Sequence, residues 1–209
     1  MSSELFKRIL SSVILLPLVF YIIISGSFFI IFLIIICFFV SCYEWNKMNK
    51  NKSNKIIGFI FLLFSFYTFY DLSIEIFFLI FVILICIATD IGGYFFGKIF
   101  KGPKLTTISP NKTYAGMIGG YLLSLIFLLV ITNFIEFLLT PFQLFSLTIL
   151  LSTVSQAGDI VISYFKRKAN VKNTGNLIPG HGGLLDRIDG MIFAVPTLYL
   201  IELTGFLSI

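Results

Sequence analysis

Long apolar runs, separated by short polar segments, fill almost all of this 209-residue chain. Hydrophobic residues make up 58% of it, charged residues only 12%, and the mean hydropathy is +1.02. The hydrocarbon core of a bilayer is about 30 Å thick, so a helical span needs ~20 mainly apolar residues. A chain in lipid must also satisfy its backbone hydrogen bonds internally. The sequence therefore predicts an all-α polytopic membrane protein and excludes an ordinary soluble domain.

Seven transmembrane helices are predicted, some of them shorter than a typical span. They cover residues 9–24, 28–40, 56–70, 76–97, 114–134, a segment that begins at Pro141, and 188–203. Residues 44–55 are predicted to form a polar, lysine-rich loop. The first run, followed by Ser25-Gly26-Ser27, has features of a signal peptide. The next apolar run follows at once, which favours a hairpin of two spans.

The basic residues predict the orientation in the membrane. All fifteen lysines and arginines fall in four groups, within residues 7–8, 47–55, 98–112 and 166–187. With seven spans and a cytosolic N-terminus, every one of them lies on the cytosolic side, as the positive-inside rule requires. The opposite loops keep only acids such as Asp71, Glu75 and Glu136. The net charge of +5 therefore reflects topology and a polar site, and no nucleic-acid partner is expected.

Residues 156–190 concentrate the polar chemistry of this apolar chain. They include three of the ten carboxylates and the only histidine: Asp159, Asp186, Asp189 and His181. The first part has polar residues at helical spacing, namely Gln156, Asp159, Ser163, Lys166 and Arg167. This spacing predicts one polar stripe at the end of an otherwise apolar helix.

A glycine-rich loop follows that helix and ends in residues 179–183. Gly182 and Gly183 allow positive φ and would let a ligand approach the main chain. A new apolar helix is predicted next, with Asp186 and Asp189 on one face and Arg187 turned away. Carboxylates beside a basic, glycine-lined loop suit a divalent metal that holds a phosphate. The alternative is an ordinary charged loop whose acids pair with its bases.

A second polar segment begins at Asp90, directly after an apolar run. A charged residue at the centre of a membrane helix costs roughly 2.5–3.5 kcal/mol, so Asp90 is either functional or an acid near the helix end. Gly93 and Gly97 are spaced for close helix packing. Downstream, Pro110 and Asn111 predict a turn after Ser109.

Lys112 and Thr113 end that turn. Thr113 is predicted to cap the next helix, and Lys112 lies where the positive helix terminus would attract a phosphate. The Lys-Thr pair lacks the glycine that a Walker A loop needs five residues before the lysine, where this chain has Thr107. On this evidence alone, the segment is the start of a capped helix.

The chain resembles the phosphatidate cytidylyltransferases, also called CDP-diacylglycerol synthases. The signature covers residues 163–189, SYFKRKANVKNTGNLIPGHGGLLDRID, and a second block covers TDIGGYFFGK (89–98) and SPNKTYAG (109–116). Two positions depart from the family pattern: Asn173 replaces a usual aspartate, and Ala115 replaces a common glutamate. The resemblance is strong over residues 89–190 and weak over the first 88.

The resemblance implies an enzyme that transfers CMP from CTP to phosphatidate, giving CDP-diacylglycerol and pyrophosphate for phospholipid synthesis. The residues expected to be catalytic are Asp159, Lys166, Arg167, His181, Asp186 and Arg187. Those expected to bind substrate are Ser109, Lys112, Thr113, Ser163, Gly182 and Gly183. Mg²⁺ is expected on Asp159, Asp186 and Asp189, with Asp90 as a weaker fourth ligand. A second, monovalent cation is left open. For His181, contact with a phosphate, proton transfer and a loop-fixing hydrogen bond all stay open.

One integral membrane domain is expected over residues 1–209, with N-terminal helices (1–88), the motif segment (89–190) and a last helix (188–209). A multi-pass location in the inner (plasma) membrane, with the site facing the cytosol, suits a lipid substrate and the cytosolic polyanion CTP. A homodimer is left open. The alternatives are a CTP-dependent polyprenol kinase, another lipid cytidylyltransferase, or a small transporter with Asp90 and Asp159 as ion sites. A transporter would be expected to have an internal repeat, which this sequence lacks.

Overall fold

The computed structural model describes residues 17, 21–22, 27–135, 138–178 and 182–206. These parts of the chain are helical, with two isolated β-bridges and no strand. The helices are α1 (Ser27–Met48), α2 (Lys52–Leu72), α3 (Ile76–Phe100), α4 (Tyr114–Ile131), α5 (Pro141–Lys168), α6 (Leu185–Ile188) and α7 (Met191–Leu203). Most of the first predicted span, together with Glu136 and His181, lies outside the described residues.

Five helices, α1 to α5, are long and apolar enough to cross a membrane, and α7 is a shorter apolar helix. Many large apolar side chains on these helices are exposed, including Phe32, Ile57 and Leu129. A soluble protein rarely exposes so many large apolar side chains, whereas lipid would cover them. The prediction of an all-α membrane protein is therefore confirmed.

The predicted polar loop over residues 44–55 is wrong in its bounds. Helix α1 continues to Met48 and α2 begins at Lys52, so only three residues separate the two helices. The Asn51 side chain caps α2 by accepting a hydrogen bond from Ser53 N at 3.0 Å. Glu44 is buried in the last turns of α1, so its polarity marks an internal contact and not a solvated loop.

The single helix predicted after the glycine-rich loop is also wrong, because two helices form there. Helix α6 ends at Ile188 and α7 begins at Met191, so Asp189 lies in the turn between them and not on a helical face with Asp186. At the turn the main chain packs closely on α5, since a Cβ atom at Gly190 would collide with Ser155 Oγ. This contact explains why glycine stands at the break.

The chain forms two compact units. The first comprises the described residues within Met1–Ile74 and Phe165–Ile188, and the second those within Glu75–Tyr164 and Asp189–Ile209. In the first unit, Trp45 of α1 donates from Nε1 to Asn54 O at 3.0 Å and contacts Phe165 edge-on, with ring centroids 4.9 Å apart. The tryptophan thus ties α1 both to α2 and to the end of α5.

Glycines bring α3 and α4 together in the second unit, as their spacing predicted. A Cβ at Gly116 would lie 2.7 Å from Gly93 O, and one at Gly97 would lie 3.2 Å from Thr113 Oγ1. Helix α4 begins as predicted, because Thr113 Oγ1 accepts a hydrogen bond from Gly116 N at 3.1 Å. The close contact fixes the N-terminus of α4 beside α3.

Candidate functional site

Lys166 and Asp186 form a buried ion pair in the first unit. Lys166 Nζ donates to Asp186 Oδ1 at 2.9 Å, and the two side chains are 10% and 5% exposed. Asp186 Oδ2 accepts two further hydrogen bonds, from Thr174 N at 2.9 Å and from Gly183 N at 3.0 Å. A buried charge pair is stable only when its remaining acceptors are also satisfied, and this carboxylate meets that condition.

The same ion pair organises the α5–α6 loop, defined as residues 172–178 and 182–184, which follow the turn that closes α5. Thr174 lies near the start of this loop and Gly183 near its end, and Asp186 binds the backbone N–H of both. Ile178 and Gly182 also pair with each other, through N–H···O bonds of 2.9 and 3.2 Å. Both ends of the loop are therefore held at a single carboxylate.

Glu44 is a second carboxylate that binds this loop, and the sequence analysis did not identify it. Its Oε1 accepts from Leu184 N at 2.9 Å, and its Oε2 accepts from Leu185 N at 2.9 Å and Thr174 Oγ1 at 2.8 Å. One signal could have found it: Glu44 is the only acid between residues 5 and 70, and it directly follows an apolar run. The same pattern, an acid directly after an apolar run, identified Asp90 as a candidate in the sequence analysis.

Gly182 and Gly183 are predicted to bind substrate, and the structure places both against protein side chains. Gly182 has φ of +90°, and a Cβ there would lie 2.8 Å from Asp186 Oδ2 and 3.1 Å from Asn173 Cγ. A Cβ at Gly183 would collide with Thr174 Oγ1 and lie 2.5 Å from Glu44 Oε2. Close contact with these carboxylates therefore explains why both positions are glycine.

A second ion pair, between Lys112 and Asp159, lies in the second unit. Lys112 Nζ is 2.5 Å from Asp159 Oδ2, and the side chains are 22% and 29% exposed. Ser163 Oγ donates to Asp159 Oδ1 at 3.3 Å, and Lys112 Nζ is 3.5 Å from Gln156 O. Asp159 and Ser163 lie one turn apart on α5, as their spacing predicted.

The turn before α4 sets the position of Lys112. Lys112 N donates to Ser109 O at 3.0 Å, and Lys112 O accepts from Leu105 N at 2.8 Å. Residues Lys104 and Thr113 form an isolated antiparallel bridge. Ser109 thus contributes its carbonyl to the turn before Lys112, and Thr113 contributes its side chain to the cap of α4 after it.

The remaining two predicted metal ligands, Asp189 and Asp90, both lie in the second unit. Asp189 is buried and accepts a hydrogen bond from Gly190 N at 3.0 Å. Its carbonyl oxygen lies 2.9 Å from where a Cβ would stand at Gly158, the neighbour of Asp159 in the chain. Asp90 is exposed on α3. Asp189 is therefore packed against α5 next to the Lys112–Asp159 pair.

The two predicted catalytic arginines, Arg167 and Arg187, are exposed. Arg167 Nη1 donates to Val171 O at 3.4 Å. Exposed guanidinium groups at the end of α5 and in α6 are able to meet an incoming anion. His181 lies outside the described residues, so its three alternative roles stay open.

The aspartates supply the hard oxygen ligands that Mg²⁺ prefers. In the described parts of the chain, no group of three or more His, Cys, Asp or Glu residues is placed to hold a metal ion. Two of the predicted ligands, Asp159 and Asp186, are instead paired with lysines. The donor chemistry fits the ion, and the set of ligands stays a prediction.

Sequence comparison identifies the family. The sequence model of the cytidylyltransferase family matches residues 6–78 and 55–204. Among curated proteins, the phosphatidate cytidylyltransferase of Staphylococcus saprophyticus is 43% identical over 125 residues, which are 59% of this chain and 48% of that protein. The enzyme of the same name from Staphylococcus aureus is 41% identical over 146 residues, which are 69% of this chain and 54% of that protein. The chain thus spans about half the length of these relatives. It belongs to the cytidylyltransferase family.

Proposed function

We propose that this protein transfers CMP from CTP to phosphatidate, releasing pyrophosphate and forming CDP-diacylglycerol. One observation carries the proposal: the matched range 55–204 contains both buried or half-buried ion pairs, Lys166–Asp186 and Lys112–Asp159. The similar staphylococcal proteins are named phosphatidate cytidylyltransferases, which gives the substrate class. Five helices able to cross a membrane suit a lipid substrate.

The reaction is an in-line displacement at the α-phosphorus of CTP. A phosphate oxygen of phosphatidate forms the new bond to that phosphorus, the bond to the β-phosphate breaks, and its electron pair leaves on pyrophosphate. The attacking phosphate is already an anion, so no general base is needed. The protein must therefore hold two polyanions in line and stabilise the charge of the leaving group.

Lys112 and Lys166 are the cations that we assign to the phosphates. A lysine ammonium has three N–H donors and can bind a carboxylate and a phosphate at the same time. The Asp159 and Asp186 carboxylates direct these ammonium groups before substrate arrives. Arg167 and Arg187, which are exposed, supply further donors for phosphate oxygens.

Mg²⁺, when bound by Asp159, Asp186 and Asp189 with Asp90 as a further candidate, would offset charge on the leaving pyrophosphate. The lysines would neutralise the remaining charge on the bound phosphates.

We also propose seven spans, a cytosolic N-terminus and a site that faces the cytosol, in the plasma membrane of a bacterial cell. All fifteen basic residues fall in four groups that would lie on the same side of the membrane in this arrangement, which supports the orientation. CTP is a cytosolic polyanion, and a lipid phosphate stays at the interface while its tails stay in the bilayer.

The test is turnover by the purified full-length chain with radiolabelled CTP, phosphatidate vesicles and Mg²⁺. We expect label from the α-phosphate to appear in a lipid and label from the γ-phosphate in pyrophosphate. Transfer of the γ-phosphate to a polyprenol would identify a lipid kinase instead. Failure to label any lipid from either position, by protein that remains folded in detergent, would refute the proposal.

A further inference from the structure

The Glu44 carboxylate is 1% exposed and is held by hydrogen bonds alone within the described residues. Neither the Lys112–Asp159 pair nor the Lys166–Asp186 pair includes Glu44. Removing a carboxylate from water is unfavourable, and apolar residues often stabilise a buried site at least as well. The position of Glu44 is therefore better explained by what it orients than by what it adds to stability.

The three donors to Glu44 belong to the same loop ends that bind Asp186. Thr174 joins the two carboxylates directly, since its Oγ1 donates to Glu44 Oε2 and its N–H donates to Asp186 Oδ2. At the other end, Gly183 N binds Asp186, and the next two amides, of Leu184 and Leu185, bind Glu44. Displacement of either loop end from Glu44 would therefore change the hydrogen bonds of Asp186.

We propose that Glu44 is a positioning residue for the reaction, which fixes the α5–α6 loop and through it the Lys166–Asp186 pair. The kinetic part of this inference rests on the proposed function, whereas the structural part does not. Glu44 lies on α1, in the half of the chain where the motifs are weakest. Within the described residues its side chain accepts hydrogen bonds from the loop and from none of the cations that we assign to phosphate.

The consequence for the reaction follows from the geometry of the pair. Lys166 Nζ is directed by Asp186 Oδ1, and Asp186 keeps its orientation because Thr174 N and Gly183 N bind its other oxygen. A misplacement of about 1 Å in a reacting group lowers a rate by about a hundredfold. Loss of the Glu44 contacts should therefore lower the rate of transfer more than it lowers substrate affinity.

The experiment compares Glu44→Gln with Glu75→Gln in the full-length chain. Glutamine keeps the shape of Glu44 but offers one acceptor oxygen and an N–H₂ donor, so at least one of the three donors loses its partner. Glu75 precedes α3, is exposed and makes no side-chain cap hydrogen bond. Glu75→Gln therefore makes the same chemical change at a site that lacks the loop hydrogen bonds of Glu44. We expect kcat of Glu44→Gln to fall at least about tenfold, which is about 1.4 kcal/mol. The KM values for CTP and phosphatidate should change much less, and Glu75→Gln should match wild type.

Amide hydrogen exchange provides a readout that does not depend on activity. In Glu44→Gln, the amides of Leu184 and Leu185 should exchange faster than in wild type and in Glu75→Gln. Trp45, the only tryptophan, follows Glu44 on α1 and reports through its fluorescence whether that helix end is folded. Its emission is used to express kcat per folded molecule.

Each outcome decides the proposal. A lower kcat with faster exchange at Leu184 and Leu185 supports it. Wild-type kcat per folded molecule, or unchanged exchange, overturns it. If Glu44→Gln does not fold, Thr174→Val takes its place, because it removes one hydrogen bond to Glu44 and keeps the N–H bond to Asp186. An unchanged kcat and unchanged amide exchange in Thr174→Val would also overturn the proposal. If wild type transfers nothing from CTP, the proposed function fails, and exchange alone decides whether Glu44 fixes the loop.

Discussion

Replacing Asp186 by asparagine tests what the Lys166–Asp186 pair contributes to the stability of the fold and what it contributes to turnover. The asparagine oxygen can accept from Thr174 N and Gly183 N only if its N–H₂ group then faces the Lys166 ammonium. If the amide is flipped, its N–H₂ group faces the backbone N–H groups of Thr174 and Gly183 instead. Either arrangement leaves a buried cation without its counter-ion, and breaking a buried pair in this way costs about 3–5 kcal/mol. We therefore expect Asp186→Asn to be strongly destabilised and to lose at least about a hundredfold in turnover, or ~2.7 kcal/mol of transition-state stabilisation.

The double variant Lys166→Met/Asp186→Asn supplies the matched comparison. Methionine removes the buried ammonium and keeps an unbranched side chain, so part of the lost free energy of unfolding should return. Turnover should not return, because the lysine that we assign to phosphate is then absent. The two quantities are measured on the same detergent-purified samples, by denaturant unfolding and by transfer of label from CTP to lipid.

Recovery of turnover together with stability in the double variant would refute this reasoning. It would mean that the pair only holds the α5–α6 loop and that other groups bind the phosphates. Equal stability of wild type and Asp186→Asn would refute the expected destabilisation, because the ion pair would then contribute nothing to folding. Partial recovery of stability without recovery of turnover is the expected pattern.

Three further outcomes are expected. Gly183→Ala should lower both stability and turnover, because its Cβ would collide with the side chains of Thr174 and Glu44. Gly93→Ala should be tolerated, because its Cβ would lie 3.7 Å from the nearest atom. Thermal unfolding and turnover of the two variants check both expectations. Asn173→Asp should change kcat little, since Asn173 is exposed and already offers an acceptor oxygen; a large gain in kcat with unchanged KM for CTP would contradict this. A reporter active only outside the cytosol should be silent when fused after Lys50 or Lys168 and active when fused after the last residue; activity after Lys168 would contradict the proposed orientation.

The sequence by itself determined the class of protein and the position of most helices. Apolar runs of span length can satisfy their backbone only as helices in lipid, so their presence predicts α2 to α5 within a few residues. Local rules were also sufficient for the Thr113 cap and for the polar spacing on α5, because both depend on residues within a few positions of each other. The concentration of acids and bases in residues 156–190 indicated where the chemistry lies.

Only the tertiary structure decided which charges meet. Glu44 binds residues 130 to 141 positions away, and Lys112, in the turn before α4, pairs with Asp159 on α5. No local pattern reports such contacts, since helices that are apolar all round do not show which face packs against protein and which against lipid. The end of α1 is an example: local polarity predicted a solvated loop at Glu44, whereas Glu44 lies within α1 and its buried carboxylate accepts hydrogen bonds from distant parts of the chain. The pairing of polar groups across a fold is fixed by packing, because a buried charge must find partners wherever the chain brings them.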